Sequence, residues 1–161
     1  MHTFNFNTEQ FNRLFPFYIT INEDLKVVFA GKSAEKLCAI KNGENFKKHF
    51  AIPRPYAPFQ SLNDLLALQN QLIVLENIND PTIKLRGQFE HLPDSNEVLF
   101  IGSPWFGSIE QAREHNLHIN DFAHHDPLID LLHVLKAQEI GNKDLQELVK
   151  TISKSIILIV I

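Results

Sequence analysis

Cysteine is all but missing from this sequence. Cys38 stands alone among 161 residues, so no internal disulfide can form and a core must hold the chain together. Glycine is scarce at six residues, and neither a phosphate-cradling Walker loop nor a dinucleotide fingerprint is found. No block of five or more basic residues occurs and the net charge is −4, so nucleic acid is not an expected partner. The longest apolar run, Ile156–Ile161, falls far short of the ~20 residues that span a bilayer. The opening MHTFNFNTEQFNRLF has no basic region followed by an apolar core. These absences predict a cytoplasmic domain that contacts neither membrane nor nucleic acid.

Phenylalanine, by contrast, is abundant at 13 residues, enough for a real core. The clearest pattern is a hairpin. Ile83, Leu85 and Gly87 alternate with Lys84, Arg86 and Gln88, as in a half-buried strand. Val98 to Ile101 is a continuous apolar run, as in a strand covered on both faces. Between them Pro93-Asp94-Ser95-Asn96 has turn chemistry, and Gly102-Ser103-Pro104 is expected to stop the second strand. A lone hairpin is marginal, so this pair predicts the centre of an antiparallel sheet.

Two strands are expected before it, Tyr18–Ile21 and Leu25–Ala30, and a third at Leu72–Leu75, giving five in all. Thr8, Ser33 and Ser61 are placed to cap short helices, at 34–40 and 62–69 for the last two. Glu44–Phe50 is expected to be helical, and Pro53-Arg54-Pro55 fixes an extended segment whose arginine would anchor a carboxylate. Ser108 begins a helix through Arg113, and Asp126-Pro127 has the form of an N-cap with proline at the first helical position.

From Leu128 a heptad can be counted. Leu128, Leu135, Asn142 and Val149 fall at a; Leu131, Gln138, Leu145 and Ile152 fall at d. Alternating spacings of three and four predict a coiled-coil seam, polar at its middle, where an asparagine at a fixes register at a cost in stability. Gly141 marks a weak point there, or a break between two helices. Ser155 to Ile161 ends in six apolar residues, a hazard at a free terminus, and is expected to begin a further domain. The division expected is therefore 1–126 for the sheet domain, 127–154 for the helix and 155–161 for that beginning.

The strings LRGQ at 85–88 and LPDSNEVLFIGSP at 92–104 resemble the heme-NO-binding-associated domain. This is a PAS-like module of soluble guanylate cyclases and of bacterial proteins linked to H-NOX sensors. Phe15-Pro16-Phe17, the turn at Asp24-Leu25, Gly31 and the Arg54-Pro55 motif match it too. So do Leu117, Asp121, His125-Asp126 and Asp130. The resemblance covers about Phe15 to Gln138. It implies an α+β fold, with a five-stranded antiparallel PAS-like sheet, short flanking helices and a C-terminal coiled-coil helix. Arg86, Gly87, Gln88, Gly102, Ser103 and Pro104 belong to the same motifs, and a structural role is implied for them. The implied function is non-enzymatic: a dimerising regulatory module that relays the state of a heme-based nitric oxide or oxygen sensor. The output would be a histidine kinase, a nucleotide cyclase or a further PAS domain, and the chain itself would form a homodimer.

His115, His118, His124 and His125 cluster with Asp121, Asp126 and Asp130, which raises a metal-dependent enzyme as another class. Their spacings match no dependable ligand motif, so no metal, cofactor or catalytic residue is expected. The alternative is a PAS sensor with its own small ligand or heme, for which His49 or His91 would be the axial candidates.

Overall fold

In the computed structural model, which describes residues 1–160, the hairpin does lie at the middle of the sheet. Its strands are β5 (Lys84–Leu92) and β6 (Glu97–Pro104), paired in register from Leu92↔Glu97 to Leu85↔Pro104. The expected stop at Gly102 comes later, because Pro104 still has a partner position and only the strand's last residue lacks an N–H to donate. Asn96 closes the turn at φ +49°, a conformation asparagine tolerates.

The sheet has six strands, not five. β1 (Ile19–Ile21) and β2 (Val27–Ala30) flank β6, while β4 (Ile73–Asn77) and β3 (Phe50–Arg54) flank β5, in the order β2-β1-β6-β5-β4-β3. The extra strand is the prolyl segment around Arg54. Two prolines hid it from pattern reading, yet a proline is tolerated where a strand lies at the edge, as β3 does. Its ladder with β4 slips between Ala51 and Arg54, around Pro53.

Register puts Phe89, Phe100 and Ile19 abreast on one face of the sheet, with Ile73, Leu75, Leu85, Val98 and Ile21 around them, all fully buried. Helices α1 (Thr8–Leu14), α2 (Lys32–Cys38), α3 (Phe46–His49), α4 (Leu62–Leu66) and α5 (Ile109–Glu114) accompany the sheet. Residues Ala34 and Leu37, Phe46, Leu62 and Leu65 carry α2, α3 and α4 into the same core. Ser61 caps α4 as expected, in a box with Asp64. Asn7 rather than Thr8 caps α1, through a reciprocal pair with Gln10. Ser33 caps nothing: α2 starts two residues earlier than expected, at Lys32 after Gly31, because the Asn12 side chain and the Pro16 carbonyl accept its first N–H groups.

The last element, α6 (Leu128–Val160), is one continuous helix of 33 residues, about 50 Å long. Gly141 does not break it. The helix also runs through 155–160 of the apolar terminal stretch, whose last residue, Ile161, lies outside the described residues. Among the described residues no helix is long and apolar enough to cross a membrane.

Candidate functional site at the joint between sheet and helix

The site is built where α6 leaves the sheet. Its first turns are tied down and the remainder is not. Leu132 is buried among α5 and the core, with Leu128 and Ile129 packed beside it. Lys136 Nζ reaches Glu110 Oε1 of α5 at 2.6 Å, a pairing that lowers the Glu110 pKa and raises that of Lys136. From Ala137 through Ile159 every residue is exposed. Leu131, Leu145 and Val149 are 57%, 61% and 55% exposed, and Leu135 and Ile152 are similar. From Leu131 onward the a and d positions therefore present an apolar stripe that stays exposed among the described residues. Val134 and Leu148 widen it. They stand at g, a position where seams more often carry charge, so counting a and d alone overlooks them. Gln138 and Asn142 interrupt the stripe at mid-length.

Several motif residues meet at the helix entry. Asp126 Oδ2 accepts from the Ser103 hydroxyl at 2.6 Å, joining the end of β6 to the joint. Its other oxygen accepts from the Leu128 N–H at 3.0 Å. The first helical bond runs from the Leu131 N–H to the Pro127 carbonyl, so Pro127 is the N-cap and Asp126 acts from one residue further out than expected. Asp130 lies in the first turn, where negative charge suits the helix dipole. The His125 ring stands edge-on to Phe15 at 6.3 Å, and Phe17 packs on Phe122 at 5.3 Å. The Pro16 carbonyl holds the start of α2.

Asp121 is a second tie, and sequence reading did not find its partners. Its carboxylate accepts from Lys36 Nζ at 2.8 Å and from the His118 N–H at 2.7 Å, while its carbonyl accepts from the Ser33 hydroxyl at 2.5 Å. Burial alone would raise this carboxyl, but the Lys36 and His118 hydrogen bonds and charges together hold it below the usual carboxylate range. These partners are more than eighty residues away in sequence on the Lys36 and Ser33 side, which is why no local pattern announced them.

Other expectations fare differently. Among the described residues Arg54 pairs with no carboxylate; its guanidinium lies 5.6 Å over the Trp105 ring instead, a cation–π contact. Gly87 and Gly102 face each other across the hairpin, and a Cβ on Gly87 would come within 2.0 Å of the Ile101 carbonyl oxygen. Arg86 and Gln88 alternate outward from them, opposite Ser103 and Ile101. His115 stacks on Phe106 and meets the Thr82 hydroxyl. Among the described residues no group of three or more His, Cys, Asp or Glu side chains is placed to hold a metal ion. His49 pairs with Glu44 at 3.0 Å, and His91 approaches Asn96 at the hairpin turn.

Comparison with known proteins supplies the rest. The family described as heme NO binding associated matches residues 4–82 and 77–155, two stretches that meet at the connection between β4 and β5. The chain is similar to guanylate cyclase soluble subunit alpha-2 of Homo sapiens, at 28% identity over 90% of this chain and 21% of that protein. It is similar to guanylate cyclase soluble subunit beta-2 of Rattus norvegicus, at 28% over 85% of the chain and 21% of that protein. The head-specific guanylate cyclase of Drosophila melanogaster is 27% identical over 74% of the chain and 19% of its own length. The chain thus spans about a fifth of the length of these curated relatives. On the strength of the family match, which takes in almost the whole sequence, the chain belongs to the heme NO binding associated family.

Proposed function

We propose that this chain is a non-catalytic regulatory module that dimerises through α6 and relays the state of a heme-based gas sensor of the H-NOX type to an output domain. The single observation that carries the reading is α6 itself: clamped to the core as far as Lys136, then projecting an uncovered apolar stripe for more than twenty residues. Such a stripe gains ~1 kcal/mol or more for each half-exposed leucine or valine that a partner helix covers, and a second copy supplies the same stripe. The relatives named guanylate cyclase support an output of nucleotide-cyclase class; a histidine kinase or a further PAS domain would use the same helix. In this reading residues 1–126 receive the signal, 127–154 carry it and 155–161 lead toward a following domain.

A relay needs an element with two arrangements. The Gln138–Asn142 stretch is the candidate, because polar groups at d and a weaken the seam where register would shift. Light scattering on the full chain and on a chain ending at Ala137, which keeps Leu132 and the Lys136–Glu110 pair, tests the proposal. A dimer that becomes a folded monomer on shortening is expected. A 161-residue chain that stays monomeric at every concentration would sink the reading.

A further inference from the structure

We propose that the cleft at the joint binds a small phosphorylated molecule. The cleft has a volume of about 400 Å³ and lies between α1, the start of α2 and the segment from Asn120 to His125. That is within the ~300–1,000 Å³ of ordinary small-molecule sites. Arg13 comes from α1, Lys32 from α2, and His124 and His125 from the joint. Neither Arg13 nor Lys32 has a carboxylate within ion-pair distance among the described residues. The one carboxylate in the wall, Asp121, is neutralised by Lys36. Two uncompensated cations thus converge on one hollow of a protein whose net charge is −4.

The chemistry of the wall is that of a donor set. The Asn12 side-chain oxygen is occupied by the Lys32 N–H, which leaves its amide hydrogens to give. A guanidinium offers a planar fork and an ammonium a point charge, and neither accepts. A phosphate monoester is the complement: it only accepts, through three oxygens, and carries about −1.5 to −2 charge at neutral pH. The rest of the wall is Leu14, Pro16 and Phe122, which are apolar, with Asn120 and with Ser33, whose hydroxyl is already given to the Asp121 carbonyl. The volume exceeds that of phosphate alone, so an organic body belongs there. Such a ligand would bridge α1 to the segment that feeds α6. The binding itself does not depend on the relay proposed above.

The test is an NMR titration of the full chain with inorganic phosphate, phenyl phosphate and citrate at constant ionic strength. Saturable shifts at Arg13, Lys32, His124 and His125 are expected with both phosphates, with dissociation constants in the millimolar range or tighter. The double variant Arg13→Gln, Lys32→Gln should weaken binding by about tenfold or more, while Lys48→Gln, on α3, leaves it unchanged. Shifts that never saturate, that fall elsewhere, or that survive in the double variant would overturn the site. Citrate binding as tightly as the phosphates would overturn the assignment to phosphate.

Discussion

At the scale of single residues, two side chains have consequences that a measurement can reach. Cys38 is buried on α2 against the core, and burial pushes its thiol up to about 12, more than the neighbouring Asn77 lowers it. Only the thiolate attacks, and a value near 12 leaves roughly one thiol in 10⁴ to 10⁵ ionised at pH 7.5. Reaction with an aromatic disulfide reagent should therefore be negligible in the folded protein and complete once it is unfolded in denaturant. Asp121 acts in the opposite direction on pH. Its folded pKa is depressed, so its stabilisation is full above the unfolded value of ~3.9 and is lost as pH falls through the lower folded value. Asp121→Asn should cost about 1 kcal/mol at pH 7, discounted for the partial exposure of Lys36. Urea unfolding of both proteins at several pH values should show that gap narrowing steadily below about pH 4.

Elements differ in how far their own residues announce them. The hairpin was legible because alternation, turn residues and an apolar strand agreed over twenty-two residues, and α4 because its serine cap and leucines agreed over nine. β3 was not: Pro53 and Pro55 argue against a strand locally, and only an edge position in a finished sheet accommodates them. The start of α2 was misplaced for a similar reason, since Asn12 and the Pro16 carbonyl, not Ser33, satisfy its first N–H groups. Of the joint, Asp126 could be found from its proline, whereas the Ser103 and Lys36 ties needed the tertiary fold. α6 was legible as a helix, but not its continuity, because glycine lowers propensity without abolishing helix. No atom outside the local backbone lies within 4 Å of a Cβ built on Gly141, so Gly141→Ala removes the penalty without a clash. A gain of up to about 1 kcal/mol in local helix stability is expected. Hydrogen exchange of the amides around 138–146 should slow by about fivefold in that variant, while exchange in β5 and β6 stays as it was.

The whole molecule divides into a part that holds its own core and a helix that cannot bury its own apolar stripe. The core closes around buried phenylalanines from α3, from β3, β5 and β6, and from the loops between elements, with apolar residues of the other strands and helices packed among them. The helix is different. From Ala137 through Ile159 its side chains are exposed, and a helix with one uncovered stripe gains stability from association rather than from propensity. If a second copy covers the stripe, folding of the distal helix and dimerisation are linked, and its melting temperature must rise with protein concentration. The core, being self-sufficient, should melt without that dependence. Circular dichroism at 222 nm across a hundredfold range of concentration should therefore separate two components, of which only the helical one moves. Leu145→Glu places a charge in the middle of the stripe, at a residue that touches no part of the core. It should remove the concentration dependence and leave the core transition in place. A core transition that shifts with concentration in the same way would mean that the sheet domain, and not the stalk, holds the two copies together.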